Sequence, residues 1–534
     1  MNRIKQLKIK KLLFSALFVV VGKCGLYAQY ELKPLKTSIN NQTVWTMTEG
    51  NECDFFYISN LTDGAKGTIE DVVLCLDKKG KPTYEITTSH PKDFTNIGAF
   101  ECKDSLMLVY EKTVKDVHSI YSNTVAKNVV TSEWNPQLLV KTTAKKHDGH
   151  ILAMSPDKTK LVVGTFSRTK MSDGRTAHVA VFDYAKGKLF EKEFVTASTM
   201  SGTTGAFFIR ANNEGTVIFC FYTNGYITKN SKPLTFYLYT ADANEVKSYD
   251  LDFAGKIGFA QLPQFLITRS GDIMSVGITP SVERNNPNKS AMDIMTQGSA
   301  PDSTGAPFMI YFDSKKKELN LVKEPLPRLT QVDMDLHLTK MWTEYCPRVN
   351  YRVLFPQSLH EFDDGSFVAM YEPRALSDRV ENKEIKAKRY FSGDLLIAYI
   401  NKNKEFTKFA IYKKNGDIPT AWTKEFPRTG YYFRNNKSYT VYQDKAPGED
   451  RDDYWHTAFI TPTDYGTDPI AVDFQKLGVP MNETFSIYNF YENYWIVKYS
   501  SSEKDKTYNI GVLHFKDENE NEKVDNSNES VEFE

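Results

Sequence analysis

The chain has 534 residues, and its 67 basic and 67 acidic side chains leave a formal net charge of zero at pH 7. That balance excludes the broad positive field with which a protein gathers nucleic acid or anionic lipid. Five of its cysteines, Cys53, Cys75, Cys102, Cys220 and Cys346, lie beyond the N-terminal segment, and their odd number and lack of CxxC spacing point to neither a disulfide framework nor a zinc site. They read as small apolar core residues, with Cys53 and Cys102 flanking equivalent turns of neighbouring units.

At the N-terminus, Arg3, Lys5, Lys8, Lys10 and Lys11 precede the apolar run from Leu12 to Gly22. The run is shorter than the roughly 20 residues that a membrane span requires. Residues 1–28 are therefore expected to be a secretory signal, cleaved after Ala28. Cys24 offers a lipid-anchor alternative, but Lys23 breaks the small-residue pattern of a lipobox. No later window is apolar enough over a sufficient length to be a transmembrane segment.

From there a strand-like run, a polar turn and a second apolar run recur eight times. Gly50, Lys103, Asp157, Asn213, Gly271, Asp364, Asn435 and Glu492 mark the turns, spaced 53, 54, 56, 58, 93, 71 and 57 residues apart. An all-strand unit repeated at that period predicts a β-propeller. In the third copy, four strands are expected at His150 to Ser155, Leu161 to Ser167, His178 to Tyr184 and Leu189 to Thr196. The stretch Met154-Ser155-Pro156-Asp157-Lys158-Thr159-Lys160-Leu161-Val162-Val163 resembles the strand, Ser-Pro-Asp turn and strand of TolB-like and WD-repeat propellers. The resemblance implies a blade design and no particular activity.

The expected fold class is all-β: a single β-propeller over residues 29–515 with eight four-stranded blades, seven being the alternative. Tyr30 to Lys36 has no partner in the first copy, whereas the last copy supplies only three strands, Thr484 to Phe490, Trp495 to Ser500 and Thr507 to Phe515. The N-terminal strand is thus expected to close the last blade and remove a free sheet edge. Residues 516–534, acidic and Asn-rich, are expected to be a disordered tail.

Loop lengths point to one functional face. Connections after the third strand are short, as at Asp77 to Lys81, Ala185 to Lys188, Ser314 to Lys317 and Asn401 to Lys404. Insertions collect in the connections after the second strand or between blades: Thr279 to Ala306, Leu326 to Leu354, Pro373 to Ser392 and Tyr442 to Tyr454. Long loops on one face of a rigid scaffold are where recognition usually sits. Within them Trp342, Tyr345, Tyr390, Tyr454 and Trp455 offer aromatic faces, and Arg374, Arg379 and Arg389 offer cationic forks. Tyr371 and Arg451 belong to the same set. The competing expectation for each aromatic is packing between blades.

Two clusters suggest metal chemistry. His147-Asp148-Gly149-His150 spaces two imidazoles three apart, but Asp-Gly reads as a turn and no third ligand is near in sequence. Asp450, Asp452, Asp453 and His456 offer hard donors that calcium would take, without the spacing or fixed Gly of a calcium loop. No resident cofactor and no catalytic residue set is expected: GxSxG, HExxH, P-loop and GxGxxG patterns are all absent. The expected function is an exported, non-catalytic module binding a protein partner or cell-surface glycan, in the periplasm, at the outer membrane or outside the cell. The alternative is a polysaccharide hydrolase or lyase using Asp363, Glu372, Asp378 or Asp452.

Overall fold

The computed structural model describes most of residues 30–515. Residues 1–29, 516–534 and the longer connections, chiefly 169–175, 196–204, 228–233, 279–306, 328–348, 413–419, 422–428, 445–456, 463–469 and 474–485, lie outside the described residues. Every regular element among the described residues is a β-strand. No helix among them is long and apolar enough to cross a membrane.

The strands form successive antiparallel sheets. β1 (Tyr30–Asn40) leads into sheet one, made of β2 (Trp45–Thr48), β3 (Asp54–Asp63), β4 (Thr68–Leu76) and β5 (Pro82–Pro91). Sheet two contains β6 (Thr95–Cys102), β7 (Ser105–Val114) and β8 (Val117–Ala126), then β10 (Gln137–Thr143). The connection before β10 carries β9 (Thr131–Ser132), which pairs in parallel with β5 of sheet one. Sheet three is β11 (Lys146–Met154), β12 (Lys160–Arg168), β13 (Thr176–Asp183) and β14 (Gly187–Val195). Sheet four is β15 (Gly205–Ala211), β16 (Val217–Thr223), β18 (Leu234–Thr240) and β19 (Glu245–Leu251), with a satellite pair, β17 (Tyr226–Ile227) and β20 (Gly258–Phe259).

Sheet five is β21 (Gln264–Ile267), β22 (Ile273–Ile278), β23 (Pro307–Asp313) and β24 (Glu318–Lys323). Sheet six is built on β25 (Val349–Glu361), β26 (Phe367–Glu381), β28 (Leu395–Ile400) and β29 (Phe406–Tyr412), and adds β27 (Glu384–Ser392) and β30 (Thr420–Ala421). Sheet seven is β31 (Thr429–Arg434), β32 (Lys437–Asp444), β33 (Thr457–Pro462) and β34 (Ile470–Asp473). Sheet eight is β35 (Ser486–Tyr491), β36 (Tyr494–Ser500) and β37 (Thr507–Phe515), completed by β1 from the other end of the chain, Tyr30 opposite Phe515 and Asn40 opposite Thr507.

These sheets pack side by side. First strands touch first strands, β11 with β15, β15 with β21, β21 with β25, β25 with β31 and β31 with β35, while β2 touches β6 and β1 touches β3. Sheets whose innermost strands meet in series, with the two chain ends in one sheet, make a β-propeller. The clasp leaves sheet eight no unpaired edge between the two termini.

The core lies between sheets rather than inside one. A strand side chain alternates between faces, so one strand serves two neighbours. On β12, Leu161 and Val163 pack toward sheet two with Val109, Ile120 and Val140, whereas Val162 packs toward sheet four with Ile209, Val217 and Phe219. Full burial of each such side chain is worth about 1.5–3 kcal/mol, which explains why strands apolar on both faces recur along the chain.

Cys102 is a free, buried thiol, and burial pushes its pKa up to about 12. Its nearness in sequence pattern to Cys53 therefore does not end in a bond between them. Cys75 on β4 is disulfide-bonded, which corrects the expectation that the cysteines are only core fillers.

Candidate functional site

The two ends of the sheets differ. At one end lie the turns between first and second strands, and four of them share a form: Lys158, Gly215, Gly271 and Gly365 each donate a backbone N–H to the carbonyl three residues back, at Ser155, Asn212, Thr268 and Phe362, and each has positive φ. The sequence markers Asp157, Asn213, Gly271 and Asp364 sit in these turns. Neighbouring turns are tied together. Lys158 Nζ reaches the buried carboxylate of Glu101 at 2.9 Å, with Lys127 on its other oxygen at 2.5 Å. The Asp157 N–H donates to Asn213 Oδ1, and the Arg269 N–H donates to Glu361 Oε2 at 2.7 Å. This end is a belt of inter-sheet contacts and serves the scaffold.

At the other end emerge the connections between second and third strands and between sheets. There β7 brings two histidine clusters together, one on each side. Leu106, Leu108 and Tyr110 alternate toward sheet one, Met107 and Val109 toward sheet three. On the Tyr110 side, Asp71 and His90 are buried, with His90 Nε2 2.9 Å from Asp71 Oδ2 and His90 Nδ1 3.0 Å from the Pro91 carbonyl. The Tyr110 hydroxyl donates to Asp71 Oδ2 at 3.3 Å. Trp134, carried over by the segment that contains β9, packs on His90 and Tyr110. Burial pulls the His90 pKa down, but the hydrogen bond and charge of Asp71, helped by the Pro91 carbonyl and Asp93, win, and the net shift is upward. An oxygen lies within 3.0 Å of each ring nitrogen and the pair is sealed from solvent, which favours the charged ring, while His90 Nε2 and Asp71 Oδ1 make no aligned hydrogen bond.

On the opposite side, Glu111 faces the start of β11. His147 Nε2 lies 3.2 Å from Glu111 Oε1, His150 Nδ1 3.4 Å from Oε2, and His118 Nδ1 4.0 Å from Oε1. The His118 and His147 rings stack with centroids 4.1 Å apart. Thr113 Oγ1 is 2.9 Å from His118 Nδ1. The His147 and His150 approaches lack hydrogen-bond alignment: neither ring nitrogen of His147, nor His150 Nδ1, makes a hydrogen bond. The His147 and His150 rings hold the Glu111 carboxyl far below the usual carboxylate range, against the opposing effect of burial.

Sequence spacing alone would separate the two β11 imidazoles, because residues three apart on a regular strand face opposite sides. The expected turn at His147-Asp148-Gly149-His150 is instead a strand with a bulge. His147 pairs with Ser167 and Gly149 with Phe166, so Asp148 is the extra residue, and His150 pairs with Thr165. Ser167 and Thr165 are two apart, which returns His147 and His150 to one face. Gly149 has φ of 148°, and a Cβ there would lie 3.1 Å from the Phe166 ring. The third ligand type that sequence proximity did not supply arrives from the preceding sheet as Glu111. His118 joins it across the β7–β8 hairpin, where Thr113 pairs with His118.

The predicted aromatic and cationic residues fall differently. Pro373 to Ser392 is no loop: β26 pairs with β28 only over Phe367 to Tyr371 and then hands over to β27, with Arg374 opposite Ser392, Leu376 opposite Tyr390 and Ser377 opposite Arg389. β25 follows β26 along its length, Val349 opposite Ser377 and Glu361 opposite Phe367. The result is a three-stranded arm, to which β30, from the connection to sheet seven, adds a short pair. Arg374 and Arg379 lie on β26, Arg389 and Tyr390 on β27. Trp342, Tyr345, Tyr454, Trp455, Arg451 and the acidic candidates Asp450, Asp452, Asp453 and His456 lie outside the described residues. Tyr371 is fully buried, and burial pushes its pKa up, so it belongs to the core. Of the proposed acids, Glu372 is buried on β26, while Asp363 sits in the β25–β26 turn at the far end of that strand from Asp378 and pairs with Arg269 at 2.5 Å.

No protein-family model and no curated protein matches the chain. Solved structures to which it is similar include the β-propeller domain of the Trilobed protease from Pyrococcus furiosus, 11% identical over 82% of this chain and 98% of that one, with a TM-score of 0.34. The WD40 domain of SCAP from fission yeast is 8% identical over 91% of this chain and 94% of its own, with a TM-score of 0.36. An α-L-arabinanase from Penicillium chrysogenum is 8% identical over 91% and 99%, with a TM-score of 0.28. The fold therefore rests on the strand pairing and sheet contacts of this chain, and no activity is carried over from those proteins.

Proposed function

We propose that the chain is an exported propeller that binds a protein partner or a cell-surface glycan, without chemistry, through the end bearing the long connections. The eight sheets are read as its eight blades, in one ring closed by β1. The supporting observation is the arm of β25, β26 and β27: β26 continues through Arg374 and Arg379 to Glu381, well past its last pair with β28 at Tyr371. A paired arm holds aromatic and cationic side chains at smaller entropic cost than a free loop. Export follows from the signal-like residues 1–28, and a disulfide at Cys75 suits an oxidising compartment. The hydrolase alternative gains nothing from sheet six, where Asp363 and Asp378 stand at opposite ends of β26.

The test shortens the arm without disturbing the sheet. Leu376 and Tyr390 are register partners, so replacing residues 377–389 by Asn-Gly recloses the hairpin with a two-residue turn. The full chain and this variant are compared in pull-downs against glycan arrays and cell-envelope fractions. Loss of a specific ligand by a variant that melts cooperatively supports recognition through the arm. Equal retention by both, or no ligand for either, overturns it.

A further inference from the structure

We propose that Glu111, His118, His147 and His150 form a binding site for a divalent transition-metal ion of the zinc class. One ligand atom from each of Glu111, His118 and His147 lies within 4.8 Å of the others, and His150 Nδ1 adds a fourth donor 3.4 Å from Glu111 Oε2. Zinc bonded to nitrogen and carboxylate oxygen at roughly 2.0–2.2 Å sets its tetrahedral donors roughly 3.3–3.6 Å apart. The His147–Glu111 pair, at 3.2 Å, already has about that separation.

Three further observations point to an ion. First, both ring nitrogens of His147 and Nδ1 of His150 are buried without a hydrogen bond, and buried polar atoms left in that state call for a partner. Second, the β11 bulge is what aims His147 and His150 at one point, and it depends on a glycine at φ 148°. Bulges serve to re-aim side chains at sites. Third, Thr113 Oγ1 holds His118 Nδ1 and so leaves Nε2 for the ion, the kind of outer contact that fixes the tautomer of a ligating imidazole. Imidazoles with one carboxylate suit zinc, copper, nickel or iron rather than calcium or magnesium, which take oxygen ligands. The stacked His118 and His147 rings must tilt apart to direct lone pairs at one ion, so loading is expected to unstack them. The site lies in sheets two and three, away from the arm of sheet six, so metal uptake and partner capture are separable measurements.

The experiment titrates the tag-free full chain, stripped by chelator, with zinc chloride and counts bound metal after dialysis, alongside Glu111→Gln and His147→Asn. The expected result is one zinc per wild-type chain and at least tenfold weaker binding in both variants. Glu111→Gln keeps the side-chain shape, and if His147→Asn does not fold, zinc protection of the wild-type histidines from diethylpyrocarbonate replaces it. No stoichiometric zinc in the wild type, undiminished binding in the variants, or preference for calcium over zinc would each overturn the site.

Discussion

The two sides of β7 carry the same residue types to opposite ends. Toward sheet one, Asp71, His90 and Tyr110 are buried and each His90 nitrogen faces an oxygen at 3.0 Å or less. Toward sheet three, Glu111, His118, His147 and His150 gather at the edge of the ring, and His147 finds no hydrogen bond at all. A histidine beside a carboxylate is thus no signature by itself. What separates the two sides is access and donor number: one imidazole and one carboxylate sealed from solvent at Asp71, against three imidazoles around one partly exposed carboxylate at Glu111.

The largest effect that would break this contrast is expected at Asp71. Replacing it by Ala leaves His90 buried without the carboxylate that stabilises its charged form, and should cost about 3–5 kcal/mol in urea unfolding at a pH below about 6. The His90 pKa is raised in the folded chain, so its contribution is fully present below the unfolded value near 6.5 and fades as pH rises through the folded value. Wild-type stability should decline in that window, and Asp71→Ala should flatten the decline; an unchanged pH profile would place His90 outside the network.

Next comes the bulge. Gly149→Ala meets both a strained φ and the Phe166 ring, and about 1–3 kcal/mol of lost stability is expected, together with weaker zinc binding as His147 and His150 lose their common face. Smaller still is Glu111→Gln, expected to cost less than about 2 kcal/mol at neutral pH because the site is partly exposed and the amide keeps its shape. Glu111 has a lowered folded pKa, so its stabilisation is present above the unfolded value near 4.5 and is lost only as pH falls toward the folded one. If Glu111→Gln destabilised as much as Asp71→Ala, the two sides of β7 would not differ in kind. Least of all should happen at Cys102: its thiol, with pKa near 12 and buried, should escape iodoacetamide at pH 8 in the folded chain and react only after unfolding, as read by peptide mass spectrometry.

Much of the architecture was legible before any coordinates. The recurring strand-like runs and polar turns located the strands of sheet three within two residues, except that β11 starts four residues before the expected His150, at Lys146, and the unpartnered segment at Tyr30 pointed to its pairing with β37. The arm was read as a loop, because charged residues between Arg374 and Lys388 hide the strand propensity of Val380, Ile385 and Tyr390 in a segment that β25 holds by pairing. The Glu111 site was missed for a different reason. Its members come from two sheets, 36 residues apart, and His147 with His150 looked like a turn. The available signal was Asp148-Gly149 inside a strand pattern, which marks a bulge as readily as a turn.

The most direct test of the contrast across β7 follows its imidazoles one by one. The chain has nine histidines, few enough for selective ¹⁵N-imidazole labelling, with assignment by single substitutions. On addition of one equivalent of zinc, the nitrogens of His118, His147 and His150 should shift, while those of His90 stay unmoved. A zinc response at His90, or none at the other three, would contradict the division of β7 into a structural and a ligand-binding side.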